Sequence, residues 1–326
     1  MGVVELMSFI FEGGRYKISN KRLTFLPYKQ FIMELGILSR STQLYSTRSL
    51  YQAGRRRGHA VYVIDHTRCS LSVNNERSGI VYREKNIQHF DAIIPRIGAS
   101  VTDLGAAVIN QFELMGVQTA TTAEALLKAR DKFHCLQILA KAGVPFPKTF
   151  LVGRSDNLHE VTKQLGGFPV VVKLLEGTHG IGVELARDFW QLKRLLLKMF
   201  EFHDRILLQE FIKEAGGADI RALVVDGRVV ASMKRQAQAG EFRSNLHRGA
   251  SSEAINLSKN EIHLVTDVVK AMNIELAGVD IIPSSRGPLV MEVNASPGLE
   301  GIEGVTGIDV AGYIISLLEK KVKKQI

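Results

Sequence analysis

The spacing of apolar positions changes several times along the chain. Met33 opens a strand, Leu35-Gly36-Ile37-Leu38. Ser46 to Arg57 then reads as a helix that stops at Gly58, a residue suited to a left-handed helix end. Val61 to Ile64 predicts a second short strand, and Phe90-Asp91-Ala92-Ile93-Ile94-Pro95 a third, closed by proline. Strands that alternate with helices imply a parallel sheet with helices on its faces. Residues 1–32 break from this pattern. Phe9-Ile10-Phe11 and the basic stretch from Lys17 to Arg22 hold no sustained period, which marks an appendage, either disordered or a start placed too early.

Helix starts carry a small polar residue followed three positions later by Glu or Gln, the capping-box pattern. Thr121 with Glu124 predicts a helix through Ala140, and Asn157 with Glu160 the next. Asp188 with Gln191 opens one to about Phe202, and Ser258 with Glu261 one through Met272. Between Leu207 and Lys234 the period changes to strands. Asp226-Gly227 separates Leu223-Val224-Val225 from Val229-Val230-Ala231, and a two-residue hairpin favours that pair because both turn positions need positive φ. The fold class is therefore α/β at the start and α+β, with antiparallel pieces, in the second half.

The 326 residues exceed what one small domain needs, and 45% hydrophobic with 23% charged residues is ordinary for a globular chain. Two cysteines, Cys69 and Cys135, supply no disulfide framework, so a reducing cytoplasmic setting is expected. No apolar run reaches the roughly 20 residues of a membrane span. The first residues resemble neither a secretion signal nor, with Leu6 where Ser or Thr is required, an acylation signal. Forty-two Lys and Arg against 33 Asp and Glu leave +9, which favours an acidic partner. No spacing for sequence-specific nucleic-acid reading accompanies that charge.

Phe168-Pro169-Val170-Val171-Val172-Lys173 is an apolar strand that ends in lysine, and Glu176-Gly177-Thr178-His179-Gly180-Ile181-Gly182 follows it. A lysine on a buried strand is costly unless it meets an anion, and three glycines let backbone N–H groups approach a phosphate. The order differs from a Walker loop and from a kinase, where the glycines precede the lysine. Asp280 and Glu292 lie on strands flanking Pro283-Ser284-Ser285-Arg286-Gly287-Pro288, each six residues from Arg286. A turn centred there sets them opposite one another on one face, with Cβ atoms about 5 Å apart. Asn294, two residues on, shares that face. Two carboxylates and an amide oxygen suit magnesium or manganese rather than zinc. Lys234-Arg235 and Glu241 to Gly249 form a basic, small-polar cluster fit for a triphosphate or an acidic substrate. Glu210 and Asp219 are candidate acceptors for ribose hydroxyls.

In this order, the elements resemble the ATP-grasp ligases. More narrowly, Ala129-Arg130-Asp131-Lys132, Val172 to Thr178, Phe242 to Gly249 and Met291 to Glu303 resemble the RimK family, with similarity from about Leu35 to Glu319. The resemblance implies an ATP-grasp fold behind an N-terminal parallel domain at residues 33–121. The ATP-grasp part would be residues 122–326, its lid about 135–209 and its catalytic subdomain about 210–326. It implies an ATP-dependent ligase that adds L-glutamate to the C-terminus of ribosomal small-subunit protein S-six, and a homo-oligomer. Carried over by position, Lys132 and Lys173 contact phosphate, Glu210 and Phe211 form the adenine-side hinge, and Asp219 binds near the sugar. Arg243, Ser244 and Asn245 lie along ATP, and Asp280, Glu292 and Asn294 hold magnesium or manganese, with two ions expected. Lys173 and Arg243 are the catalytic pair, Arg235 and Arg248 attract the acidic tail, and residues 177–182 close as a lid. Phe211 stands where the family often has tyrosine. Alternatives remain: a sister ligase that glutamylates a small cofactor or a carrier protein, and a nucleotide-binding regulator without turnover.

Overall fold

The computed structural model describes residues 6–12, 15–21, 31–74, 78–87, 90–154, 156–175, 182–244 and 249–325. Two compact units divide the chain, Met1–Ile32 and Met33–Ile326. In the first, β1 (Leu6–Glu12) pairs antiparallel with β2 (Arg15–Lys21) as a hairpin, which the aperiodic sequence there does not announce.

The second unit opens with β3 (Glu34–Leu38), α1 (Tyr45–Arg56) and β4 (Ala60–Ile64). A small antiparallel sheet follows, made of β5 (Cys69–Ser72), β6 (Gly79–Tyr82) and β7 (Lys85–Ile87). It was not expected, because polar residues interrupt its short strands and its last turn puts Arg83 and Glu84, not glycine, at φ 49° and 64°. Then come β8 (Ala92–Pro95), α2 (Thr102–Leu114) and β9 (Gln118–Thr119). The strands lie in the order β4-β3-β8-β9, all parallel.

The long helix predicted from Thr121 to Ala140 is two helices, α3 (Ala123–Arg130) and α4 (Lys132–Lys141). Thr122, not Thr121, caps the first and accepts from the Ala125 N–H; Thr121 instead donates to the Ala295 carbonyl at 3.1 Å. Asp131 breaks the run at ψ 100° and accepts the Phe133 and His134 N–H groups at 3.0 and 2.9 Å, so it caps α4. That break presents Lys132 at a helix start rather than in mid-helix.

A four-stranded antiparallel sheet comes next, ordered β10-β13-β11-β12, from β10 (Thr149–Val152), β11 (Val170–Leu174), β12 (Val183–Ala186) and β13 (Ile206–Glu210). It is backed by α5 (Leu158–Gln164) and α6 (Phe189–Met199), capped by Asn157 and Asp188 as the sequence pattern requires. Helix α6 stops at Met199, short of Phe202. Val152, Val170, Val172, Leu192, Leu196, Ile206 and Leu208 form this sheet's own core. Cys135, Leu136 and Leu139 of α4, expected to belong to the lid, pack into the main core instead.

The last sheet is ordered β16-β15-β14-β17-β18, from β14 (Ala218–Val225), β15 (Arg228–Gln236), β16 (Ser251–Ala254), β17 (Leu276–Ile282) and β18 (Leu289–Asn294). The Asp226-Gly227 turn has φ 52° and 71°, the geometry that closes a tight hairpin. Helix α7 (Lys259–Met272) carries the full Ser258–Glu261 capping box, and α8 (Glu300–Thr306) and α9 (Val310–Gln325) end the chain. Ala222, Val224, Val279, Ile281 and Val293 share one core with Leu38, Ile64 and Ile93 of the parallel sheet. Among the described residues, no single helix is long and apolar enough to cross a membrane.

Candidate functional site

The face of the last sheet that turns away from the core carries charge. In the β17–β18 hairpin, Asp280 pairs with Glu292 and Gly278 with Asn294; β14 sets Arg221 beside Asp280, and β15 sets Arg235 beside Asp219. Cross-strand partners and positions two apart share a face, so all these side chains stand together. Two adjacent acids demand a cation, and the strands themselves supply two. Arg221 grips Asp280 with Nε and Nη2 at 2.7 and 2.6 Å, and Arg235 grips Asp219 in the same way while reaching Asp280 at 3.0 Å. Burial opposes the Asp280 charge, yet the two arginines hold its carboxyl below the usual range. Arg235, expected to draw an acidic tail from solution, is only 6% exposed and belongs to this network. Its β15 position turns it inward among carboxylates, which a basic run in sequence does not reveal.

Opposite stands the lid sheet's lysine. Lys173 is 9% exposed and donates to the Gln209 side-chain oxygen at 2.7 Å, and Gln209 in turn donates to Thr149 Oγ1 at 2.8 Å. Burial brings Lys173 down to about 8, with Glu292 favouring its charge and Lys132 opposing it. Lys132 donates to the Leu175 carbonyl at 3.2 Å and lies 4.0 Å from Glu292 Oε1. Lys132, Lys173, Gln209 and Glu292 line one small cavity between the two sheets. Gln209 has no counterpart among the expected site residues; its diagonal placement from Lys173 across β11 and β13 was the available signal.

Other expected residues are placed as follows. Glu210 and Phe211 sit where β13 leaves the lid sheet, at a hinge between sheets; Glu210 Oε1 accepts from the Lys148 N–H at 2.8 Å and from Arg286 at 2.5 Å. Phe211 meets the Phe242 ring edge-on at 6.2 Å. Asp219 is 7% exposed and spends both oxygens on Arg235, with the Ser244 hydroxyl also bonded to it, so its carboxylate serves the ion network rather than an open cleft. Arg243 bonds Glu241 and the Val183 carbonyl at 2.9 Å, which ties the basic loop to lid strand β12. The hydrogen bonds from Arg243 outweigh burial and hold Glu241 at about 2. Asn245, Arg248 and the glycine loop at 176–181 lie outside the described residues.

Among the described residues, no three or more His, Cys, Asp or Glu side chains gather into a metal-ready group. The candidate set is two acids and an amide, all oxygen donors of the kind hard cations select. Glu292 has a side chain 36% exposed, and with Asn294 it lines an open cleft; Asp280 stands next to them but already carries two guanidinium groups. The donors fit a divalent ion centred on Glu292 and Asn294, with Asp280 as a shared third group.

Comparison with known proteins adds an independent line. Residues 33–126 match the family model described as the RimK PreATP-grasp domain, and residues 129–318 the RimK-like ATP-grasp domain. A relative from Pseudoalteromonas translucida, named "Probable alpha-L-glutamate ligase", is 50% identical over 88% of this chain and 96% of its own length. One from Vibrio cholerae with the same name is 47% identical over 88% and 96%. Among solved structures, the ATP-grasp ligase PsnB with a phosphomimetic variant of minimal precursor, Mg and ADP has a TM-score of 0.67 at 20% identity, covering 90% of this chain and 99% of that one. D-alanine–D-alanine ligase from Bacillus anthracis reaches 0.64 at 18% identity, over 90% and 100%. These structural likenesses speak to the fold.

Proposed function

The chain belongs to the RimK-like ATP-grasp family, a family of ATP-grasp ligases, and from that premise we propose that it joins L-glutamate to a carboxylate at the expense of ATP. The observation that carries this reading is the convergence of Lys173 and Lys132 with Glu292 in one cavity, cations from the lid side facing an acid from the last sheet. Such an arrangement suits a phosphate chain held between a lid and a metal-binding floor.

In the reaction, an acceptor carboxylate attacks the γ-phosphorus of ATP, which yields an acyl phosphate and ADP. The free amine of L-glutamate then attacks the acyl carbon, forms the amide bond and expels phosphate. Magnesium, or manganese, bound at Glu292, Asn294 and Asp280 would screen the charge of the phosphates. Lys173, anchored by Gln209, presents a preorganised ammonium to the transferring group, and Lys132 adds a second. Arg243 reaches the transferring group if closure frees it from Glu241, and Ser244 and Asn245 lie along the nucleotide. Glu210 and Phe211 frame the adenine, with Phe211 working through its backbone. The loop at 177–182 would exclude water from the hydrolysable intermediate.

The relatives' name supports glutamate as the amine donor. For the acceptor we infer the acidic C-terminus of ribosomal protein S-six, in a cytoplasmic homo-oligomer, because a surplus of +9 attracts a tail whose charge grows with each addition. Intact-mass analysis of that protein after incubation with ATP, glutamate and this enzyme tests both. Increments of one glutamyl unit, lost with Glu292→Ala, are expected. An unmodified S-six beside a glutamylated small cofactor or carrier protein would replace the acceptor, and full activity in Glu292→Ala would remove the metal assignment.

A further inference from the structure

On the lid sheet, Lys173 of the cavity pairs across β11 and β12 with Val183, so their Cα atoms lie about 5 Å apart. The Val183 carbonyl accepts from Arg243 Nη1 at 2.9 Å, which brings the Arg243 guanidinium to the strand beside the lysine. Strand register alone therefore sets a second cation close to the one that faces Glu292.

A guanidinium carries five N–H donors in a planar fork. Glu241 takes two of them, Nε donating to Oε1 at 3.0 Å and Nη2 to Oε2 at 2.7 Å. The Val183 carbonyl takes a third, which leaves one N–H on Nη1 and one on Nη2. Among the described residues Arg243 forms an ion pair with no other carboxylate; Glu184, exposed on β12, adds only a smaller attraction. Glu241 is itself fixed, because its Oε1 also accepts the Phe242 and Arg243 backbone N–H groups at 2.8 and 3.0 Å. The hydrogen bonds from Arg243 and from this backbone keep the carboxylate charged through the neutral range. The Phe242 ring, which meets Phe211 edge-on, lies 5.4 Å from Arg243 Cζ and seats the loop between lid and hinge. Both partners of the pair are partly buried, at 19% and 27% side-chain exposure, where salt screens charge only weakly. Two carboxylate oxygens in a guanidinium fork occupy the positions that two phosphate oxygens take in the same fork.

We propose that Glu241 is a positioning residue that fills the Arg243 fork in place of a phosphate, and that the terminal phosphate of ATP displaces it while Nη1 keeps the Val183 carbonyl. The inference rests on the ligase reading above, in which the transferring phosphate meets Arg243, and adds the residue that sets how tightly a triphosphate is taken. Before ATP arrives, Glu241 neutralises a cation that would otherwise stand unpaired beside Lys173. The terminal phosphate carries more charge than one carboxylate and so wins the fork. A diphosphate lacks that group and leaves the Glu241–Arg243 pair in place, so the exchange separates ATP from ADP.

The test measures kcat, KM for ATP and the inhibition constant of ADP in the wild type, Glu241→Gln, Arg243→Gln and the double variant. Glutamine keeps the shape of Glu241 and an oxygen for the two backbone N–H groups but gives up the charge. In Glu241→Gln the KM for ATP should fall roughly threefold to tenfold, the span of one partly exposed charged pair. There kcat and the ADP constant should stay within about twofold of wild type. In the Arg243→Gln background the same change should leave KM for ATP unaltered, because Glu241 acts through Arg243. A lower kcat with KM unchanged or raised would mean that Glu241 only braces Arg243, and an equal fall of KM in both backgrounds would reduce the effect to net charge; either overturns the proposal. The wild type alone gives a second reading, by NMR of nitrogen-15 arginine with the Arg243 Nε–H signal assigned from Arg243→Lys. That signal should move with magnesium and an ATP analogue bridged by nitrogen between its β- and γ-phosphates, and stay in place with magnesium and ADP. No movement with the analogue overturns the proposal whether or not the variants fold. Glutamate incorporation without the movement sinks this inference and spares the ligase reading; the movement in an enzyme that incorporates no glutamate does the reverse.

Discussion

Lys173 makes the most quantitative demand on this architecture. Its folded pKa of about 8 lies below the ordinary 10.5, with burial as the main cause. Because the folded state holds the proton less tightly, the unfolded chain binds more protons between pH 8 and 10.5, and stability must rise with pH through that window. The penalty for a buried ammonium is therefore complete at pH 7 and relieved as the medium turns alkaline. At 1.36 kcal/mol per unit, the wild type should gain about 2.5 kcal/mol on Lys173→Met between pH 7 and pH 10. Urea unfolding of both proteins, without nucleotide, at half-unit pH steps measures the difference. NMR of lysine labelled with carbon-13 at Cε, with Lys173→Met to assign the signal, reads the titration directly, and its midpoint should lie near 8. Parallel stability curves, together with a midpoint at 10 or above, would refute the claim that burial governs this residue. Saturating nucleotide should then move the midpoint upward, because phosphate favours the charged form.

Four further outcomes follow from the structure. Asp280→Asn strands Arg221 at a buried site, while Arg235 keeps Asp219, and should cost about 3–5 kcal/mol in denaturant unfolding. Glu292→Gln, at a half-exposed position, should cost less than about 1 kcal/mol while abolishing ligation, so equal stability losses would contradict the division of roles. Gln209→Leu removes the acceptor of the Lys173 ammonium and should destabilise by about 1–3 kcal/mol, with Gln209→Glu restoring the loss and raising the Lys173 midpoint. Gly227→Val forces a β-branched residue to φ 71° and should cost about 1–2 kcal/mol, detectable as a lower melting temperature.

Local patterns carried far into the structure wherever the signal is itself local. The caps at Asn157, Asp188 and Ser258 and the Asp226-Gly227 turn are decided by a few adjacent residues, and the hairpin symmetry about Arg286 sufficed to set Asp280 opposite Glu292. The break at Asp131 was missed because a capping aspartate inside a continuous helical pattern looks like any surface acid. The β5–β7 insertion was missed because its strands are short and mostly exposed. Nothing in sequence spacing could show that Arg221 and Arg235 fill the space between Asp219 and Asp280, since that pairing depends on three strand registers at once. Gln209 was overlooked for a related reason: its partner Lys173 is 36 residues away on a neighbouring strand.

Charge on the sheet face also orders the three residues of the proposed metal site. Asp219 and Asp280 are balanced by Arg235 and Arg221, so those four side chains are neutral as a group and joined by two bidentate pairs. Glu292 is the acid left over, with Lys132 only at 4.0 Å. A divalent ion that approaches this face meets an available carboxylate at Glu292 first, whereas at Asp280 it must compete with a bidentate guanidinium in a buried, low-dielectric setting. Two cations beside one carboxylate repel each other, so an ion that does recruit Asp280 weakens its bond to Arg221 or Arg235 and, through Arg235, loosens Asp219 and the Ser244 hydroxyl attached to it. Ser244 adjoins Arg243, the residue that joins the basic loop to lid strand β12. Under the proposed metal assignment, this chain of contacts would link an ion at Glu292 to the lid through Asp280, Arg235, Asp219, Ser244 and Arg243. Arg235→Lys, which keeps the charge but gives up the fork, should lower the metal requirement at Asp280 and weaken that coupling, so that the concentration of magnesium giving half-maximal ligation falls.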